Sequence, residues 1–495
     1  MAGALATGSG GDAGAVRLLG GEVEGVLLDG DTGEVCQPYY VFHGRTPDAQ
    51  PDHAQGLRRL ISFLEPVRKE VHNAYLAVCK GKRDESRCSY SNLNLFWDVM
   101  LGMLLRLPSF NQMDALRNVR PVSEYVMRLA GQPHDPDDVR LHTACSQTCK
   151  NFLKSVDTAG LELTRIALVK HFLRIGLFAD GRLRGCIVIA FDATLRDHDR
   201  DSTRTKERKR RYVLEAKIIT PWGWSIAVAS EPVDPYDGEK EKQDCESAAF
   251  ARLAPRIKKH FPRLGICIVG DALYANKTVM DLCGAYKWEF VITNKQGVAP
   301  ARYRALHAAL GRSQANVNRT HVEDGGAKVV ELRTVRWVDG RESEYDDGEV
   351  RDYRLVTCEQ TVPVSEAYKG EFITSFQVSK ASAAEEIVRW GRRRWNIENS
   401  FKVQKHDGYG LGHAFCKDVN CAKNVHELMQ IAHILWQVFY RGELMRLSLG
   451  CRKMTQVTWA DALKMAARTI RFLDLFPGGA VPKTRMSHVH MRDCG

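Results

Sequence analysis

The sequence predicts an α/β protein: a mixed sheet flanked by helices, preceded by a helical N-terminal domain and interrupted by a strand-rich insertion. Three observations carry that reading. Apolar residues recur at helical spacing through much of the first 180 residues. From Gly185 short apolar runs alternate with helical stretches, and two of those runs end in an aspartate. Residues 317–377 then change texture, with alternating segments separated by Asp- and Gly-rich turns.

Taken in order, Met1 to Gly30 is Gly- and Ala-rich with no basic stretch leading into an apolar block, so it reads as a flexible leader and not a signal peptide. Leu57 to Cys79, Leu93 to Leu105 and Met113 to Ala130, the last broken at Pro121, carry the helical periodicity. Cys186-Ile-Val-Ile-Ala-Phe191 is a buried-strand run ending in Asp192. Tyr212 to Thr220 and Trp224 to Ser230 form a hairpin around Pro221-Trp-Gly223. A helix over Gln243 to His260 leads to a second apolar run, Leu264 to Val269, which ends in Gly270-Asp271. A helix over Lys277 to Tyr286 and a strand, Phe290 to Thr293, follow. In the insertion, strands are expected at Val329 to Trp337, Tyr353 to Thr357 and Glu371 to Phe376. Ser382-Ala-Ala-Glu385 has capping-box spacing and predicts a helix from about residue 383 to Gln404, and Val425 to Arg441 is the next one. The resulting organisation is a leader (1–56), a helical N-terminal region (57–180), a core (181–300), the insertion (301–378), a second core part (379–442) and a C-terminal helical region (443–495).

Composition narrows the function. At 495 residues, with 44% hydrophobic and 26% charged residues, the chain is neither a peptide scaffold nor disordered as a whole. Seventy-one Lys and Arg against 60 Asp and Glu give a net charge of +11, which favours an anionic partner, nucleic acid first among them. The best apolar stretch, Phe96 to Leu107, is interrupted by Asp98 and Arg106, so no membrane span is expected. Fourteen scattered cysteines in a chain expected to stay inside the cell read as reduced thiols.

Asp192 and Asp271 each follow a buried strand. If those strands are neighbours, the two carboxylates converge at one edge of the sheet; taken singly, each aspartate could equally cap a turn. On the capped helix, Arg394, Glu398 and Lys405 stand at offsets of four and eleven, on one stripe at about 100° per residue. From Arg389 to Lys405 six basic residues surround one acid, Glu398. An acid alone in a basic helix suits a site where a cation faces the acid and phosphates face the arginines and lysines, with a plain surface ion pair from Arg394 to Glu398 as the alternative.

Together these residues resemble the DDE transposases of bacterial insertion sequences, and within them the insertion-sequence-four type, whose helix signature is Tyr-x2-Arg-x3-Glu-x6-Lys. Arg394, Glu398 and Lys405 fill the last three places, while the tyrosine place is Gly391, a departure for which Trp390 or Trp395 could supply an aromatic nearby. The resemblance spans about residues 185 to 440. It implies a ribonuclease-H-like core in which Asp192, Asp271 and Glu398 are catalytic and hold two Mg²⁺ or Mn²⁺ ions. It further implies water attack at the element's end, then attack by the freed 3′-hydroxyl on the opposite strand or on target DNA. Arg394 and Lys405 would grip phosphates, with Arg393, Lys402, Arg210 and Arg211 as further DNA contacts. A homodimer on two inverted ends and a cytoplasmic, nucleoid-associated location follow from the same resemblance. The alternatives are a silent DNA-binding descendant of a transposase and a metal-dependent nuclease.

Weaker signals remain. The run Arg204 to Arg211, six basic residues against one acid, lines a DNA channel or is a solvated loop. Asp197 to Asp201 imitates a calcium loop but has Ser202 and Arg208 where Gly and Glu are needed. His142, Cys145 and Cys149, and the pair Cys416 and Cys421, lack zinc spacing and read as buried thiols. Trp337 reads as a packing residue, with base stacking as the alternative.

Overall fold

The structure is a computed structural model. It describes residues 53–78, 88–107, 109–114, 120–132, 143–198, 210–221, 223–233, 246–298, 300–312, 317–324, 327–341, 352–361, 368–406 and 408–439, and short strands near both ends of the chain. Two compact units emerge, one comprising Met1–Leu177, Arg196–Arg210 and Ser400–Gly495, the other Phe178–Leu195 and Arg211–Asn399.

The first unit is largely helical. Its N-terminal part contains α1 (His53–Val78), α2 (Asn92–Leu104), α3 (Arg120–Ala130), α4 (Ser146–Ser155) and α5 (Thr158–Arg174). Leu60, Leu64, Val67, Val71 and Tyr75 recur every three or four residues and make the buried stripe of α1, against which α5 packs. Ser91 caps α2 by accepting from the Asn94 N–H at 3.1 Å, and the fully buried Trp97 donates its indole N–H to His72 at 2.7 Å. Pro121, expected to break a longer helix, instead stands in the first turn of α3, where its missing N–H costs nothing. Within the expected leader the structure describes short strands, Val16–Leu19 pairing antiparallel with Glu22–Gly25. Within the expected C-terminal helical region it describes the strands Thr455–Val457 and Val489–Met491.

The second unit is built on one sheet. Its strands are β1 (Cys186–His198), β2 (Arg210–Ile219), β3 (Ser225–Val233), β4 (Ile266–Gly270), β5 (Glu289–Thr293), β6 (Val317–Asp324), β7 (Ala327–Arg341), β8 (Asp352–Thr361) and β9 (Tyr368–Thr374). They lie in the order β6-β7-β8-β9-β5-β4-β1-β2-β3, with the short strand Arg182–Leu183 also paired to β1. β4 is parallel to both β1 and β5. β2 and β3 form the expected hairpin, turned by Gly223 at φ +81°. The result is a mixed sheet flanked by helices.

The strand-rich insertion is continuous with the sheet. Its strands form an antiparallel meander that joins the sheet where β9 pairs with β5, so core and insertion share one hydrogen-bond ladder. Sequence alternation specifies a strand and its buried face but not the neighbour it pairs with. Trp337 is buried within β7, which is its packing role.

Helices α6 (Glu246–His260), α7 (Lys277–Tyr286), α8 (Pro300–Arg312) and α9 (Ala381–Arg392) complete this unit. α6 and α7 match the sequence expectation closely. The expected single helix from 383 to 404 is two: α9 stops at Arg392 and α10 (Trp395–His406) begins after a turn at Arg393 and Arg394. The capping box is not used either, since α9 begins at Ala381 with Lys380 at its N-cap and no side-chain cap bond. The division between the two units falls within α10, between Asn399 and Ser400.

The helical unit is closed by α11 (Val419–Val438), which packs on α2, α4 and α5. Asp418 caps it by accepting from the Cys421 N–H at 2.8 Å. The buried Asn424 donates to the carbonyls of Leu153 and Val156 at 2.7 and 2.8 Å, and Asn420 donates to those of Lys154 and Val156. These amides satisfy carbonyls that the end of α4 leaves without helical partners. No described helix is long and apolar enough to cross a membrane, and no disulfide forms among the described cysteines.

Candidate active site

The apolar run Ile187 to Phe191 is buried, and the strand continues through Asp192 to His198, so Asp192 lies within β1 and not at its end. Alternation along the strand turns Phe191 and Asp192 to opposite faces. Phe191 meets Phe250 of α6, with ring centroids 4.9 Å apart, which leaves Asp192 facing the turn between α9 and α10. Asp271 follows directly on β4 and caps the short 3-10 turn Ala272–Tyr274 by accepting from the Leu273 N–H at 2.9 Å. Val269 is paired with Ala190, so Asp271 and Asp192 each stand two residues beyond the last pair of these parallel strands, close enough that Asp271 acts electrostatically on Asp192. The two aspartates thus converge at the edge of adjacent strands, and Asp271 is a turn cap as well.

Glu398 arrives from the first turn of α10. Asn396 fixes the start of that helix by donating to the Thr220 carbonyl at the end of the β2–β3 hairpin, 3.1 Å away, while Ile397 is fully buried. The Arg394 guanidinium joins the parts: Nη1 lies 2.7 Å from Glu398 Oε1 and 3.8 Å from Asp192 Oδ2. The i,i+4 ion pair expected from the sequence therefore exists, and it is part of the cluster and not a surface decoration. Burial pushes the Asp192 carboxyl up to about 7; Arg394 pulls it back, and Glu398, Glu246 and Asp271 push it further up.

Glu246, an acid that sequence reasoning passed over, belongs to this group. It is the first residue of α6, and its Oε2 accepts from the Tyr274 hydroxyl at 2.9 Å. Burial, with Asp271 adding to it, raises its pKa. An acid in the first turn of a helix is commonplace because it faces the positive end of the helix dipole, so only its placement before a strand ending in Gly-Asp could have drawn attention to it.

The other expected residues distribute as follows. Gly391 lies against β9 so closely that a Cβ there would run into the Phe372 ring, which explains why the signature tyrosine is absent. Of the two neighbouring tryptophans, Trp390 is buried with the Arg393 guanidinium 5.2 Å over its ring. Trp395 is 57% exposed beside Arg394, 5.3 Å from guanidinium to ring, so of the two it is the one a ligand can reach. Arg392 is structural, stacking on Tyr368 and donating to Gln360 at 2.8 Å. Lys402 is exposed and Lys405 half-buried on α10. Arg210 and Arg211 open β2, but their side chains, like residues 199–209 of the basic run and calcium-loop imitation, lie outside the described residues. His142 also lies outside them.

The donors gathered here are carboxylate oxygens, the chemistry that suits a hard divalent cation. Among the described residues no three His, Cys, Asp or Glu side chains are grouped closely enough to hold an ion as they stand. Two contacts account for this: the Arg394 guanidinium fills the space between Asp192 and Glu398, and Asp271 Oδ1 is engaged by the Leu273 N–H. In chemical type, though not in the arrangement seen, the donor set fits such an ion.

Comparison with known proteins gives a family for this region. Residues 242–436 match the transposase DDE domain family, a stretch that contains Asp271 and Glu398 and begins after Asp192. The match covers 195 of the 495 residues. No curated protein matches the sequence. A solved structure that resembles the fold is described as a piggyBac transposase synaptic complex with hairpin DNA; it is 10% identical, covers 90% of this chain and 85% of its own, and has a TM-score of 0.36.

Proposed function

We propose that this protein is a DNA transposase that cuts DNA at the ends of its element and joins the freed 3′-hydroxyl ends to target DNA. The observation that carries the reading is the convergence of Asp192, Asp271 and Glu398, distant in sequence, from two adjacent parallel strands and a helix, in a chain whose residues 242–436 match the transposase DDE domain family. The three carboxylates would hold divalent metal, Mg²⁺ or Mn²⁺, expected as two ions, and such metal would supply activation of the attacking oxygen and stabilisation of the leaving one.

Arg394 has two tasks. Without DNA its guanidinium neutralises Asp192 and Glu398. With DNA it offers a planar fork to a phosphate at the cut end, releasing the carboxylates to the metal. Lys402 and Lys405, one and two turns beyond Glu398 along α10, add point charges for the backbone, joined by Arg393, Arg210 and Arg211. The Arg394, Glu398 and Lys405 spacing supports the insertion-sequence-four type, and action on paired inverted ends supports a homodimer on DNA in the nucleoid.

The test is cleavage of a duplex carrying the inverted repeats that bracket the reading frame, with and without Mg²⁺. Asp192→Ala, Asp271→Ala and Glu398→Ala should each abolish cutting and leave DNA binding largely intact. Full cutting by any one of the three would refute the assignment. Lys405→Ala should weaken binding with a shallower salt dependence.

A further inference from the structure

Two cysteines outside the acidic site stand together at the start of α11. Cys416 is half-buried and Cys421 is buried, on either side of the helix cap Asp418. The Asp418 carboxylate accepts from the Cys421 N–H at 2.8 Å, and its carbonyl oxygen accepts from the Cys416 thiol at 3.4 Å. Both cysteines are therefore gathered around one residue, and their side chains are hydrogen-bonded to each other.

The surroundings make the two sulfurs unequal. Asn420 donates to the Lys154 and Val156 carbonyls at 2.8 and 3.0 Å and accepts from the Thr158 hydroxyl at 3.1 Å, which brings the end of α4 alongside the pair. That helix carries Lys150 and Lys154, whose ammonium groups favour a thiolate at Cys416. The Cys421 thiol holds Cys416 below the ordinary thiol value, and the two lysines add to it, against burial and the Asp418 charge. The same contact, together with burial, pushes Cys421 up. One sulfur is the better nucleophile, and the other keeps its proton. Elsewhere burial pushes the Cys149, Cys267 and Cys283 thiols up, which leaves them inert.

We propose that Cys416 and Cys421 form a redox-active dithiol, a modification site at which a peroxide converts the pair to a disulfide. The Cys416 thiolate attacks a peroxide oxygen, so that an S–O bond forms, the O–O bond breaks, and hydroxide leaves and takes a proton from solvent. The Cys421 sulfur then attacks the sulfenic acid on Cys416. An S–S bond forms, the S–O bond breaks, and the departing hydroxyl takes the Cys421 proton and leaves as water. Two electrons pass from the thiols to the peroxide. The bridge ties the segment before α11 to the first turn of that helix, where Asn420 docks it on α4. This chemistry is independent of the proposed action on DNA.

The test exposes the reduced, full-length protein to hydrogen peroxide, alkylates the remaining thiols and digests with trypsin without reduction. Cleavage after Lys417 separates the two cysteines, so the bridge appears in mass spectrometry as residues 406–417 joined to residues 418–423. That joined pair should be the main product. Cys416→Ser should slow oxidation of Cys421 by roughly tenfold or more. Cys421→Ser should leave Cys416 as a sulfenic acid that dimedone traps, with no joined pair. The unmodified protein decides the matter if a variant does not fold. Absence of the joined pair there, or Cys416 bridged chiefly to another cysteine, overturns the inference, as does an unchanged rate of Cys421 oxidation in Cys416→Ser. Protection of both thiols until a zinc chelator is added also overturns it, in favour of a metal site. None of these outcomes bears on the acidic site.

Discussion

The helical unit and the sheet unit use some of their buried polar groups differently. In the helical unit several serve the backbone or each other: Asn424 and Asn420 donate to carbonyls at the end of α4, Gln404 donates to Gln430 at 2.8 Å, and Asp98 accepts from the Ala144 N–H at 2.6 Å. In the sheet unit, four acids crowd one edge with a single guanidinium between two of them. A polar group with its partners made contributes to a fold, whereas a carboxylate kept near others without enough counter-charge lowers stability and gains a use only when a ligand arrives. Removing polar groups should therefore cost stability in one unit and activity in the other.

The sharpest contrast comes from Asp192→Asn. DNA cleavage should fall by about a thousandfold or more, while thermal unfolding stays where it was or moves up, since a neutral amide is cheaper to bury than a carboxylate. A cleavage assay paired with calorimetry decides it, and a large loss of melting temperature would count against the comparison. Gly391→Tyr, which restores the signature residue, should destabilise the sheet unit by about 3 kcal/mol through overpacking on Phe372, measurable by urea unfolding. Asn424→Ala in the helical unit should cost roughly 2 kcal/mol by removing the side-chain donor to the Leu153 carbonyl and one of the two to the Val156 carbonyl, with the cleavage rate per folded molecule unchanged.

A further effect concerns pH. Burial pushes the Asp98 carboxyl up to about 8, partly offset by the Ala144 N–H. Between the ordinary carboxylate range near 3.8 and about 8, the folded chain keeps a proton that the unfolded chain releases. Stability from this group is thus full below the lower value, falls as pH rises by up to about 1.4 kcal/mol per unit, and is lost above the upper one. Asp98→Asn should flatten that slope in denaturant unfolding followed from pH 4 to 8, and an unaltered slope would show that another group sets it.

Much of the site is legible in the amino-acid pattern. Two apolar runs ending in acids, and one acid in a basic helix, single out Asp192, Asp271 and Glu398, because burial on both faces of a central strand leaves a plain mark in composition. Other features are not legible there. A turn of two residues that splits α9 from α10 leaves the 3.6-residue periodicity nearly intact, so the break at Arg393 and Arg394 has no signature in the pattern. Glu246 looks like any helix-starting acid until Tyr274 is seen to hold it.

What the chain determined by itself was local: which segments are helices and strands, which faces are apolar, and which acids stand at the ends of apolar runs. Those properties depend on neighbours a few residues away, and the pattern records them. Only the tertiary structure decided that β9 joins the insertion to the core, that Phe372 forbids a side chain at Gly391, and that Arg394 compensates half of the acidic group and leaves Asp271 with Glu246. Strand partners, close approach and shared charge are properties of residues brought together from distant parts of the chain, and no periodicity encodes them.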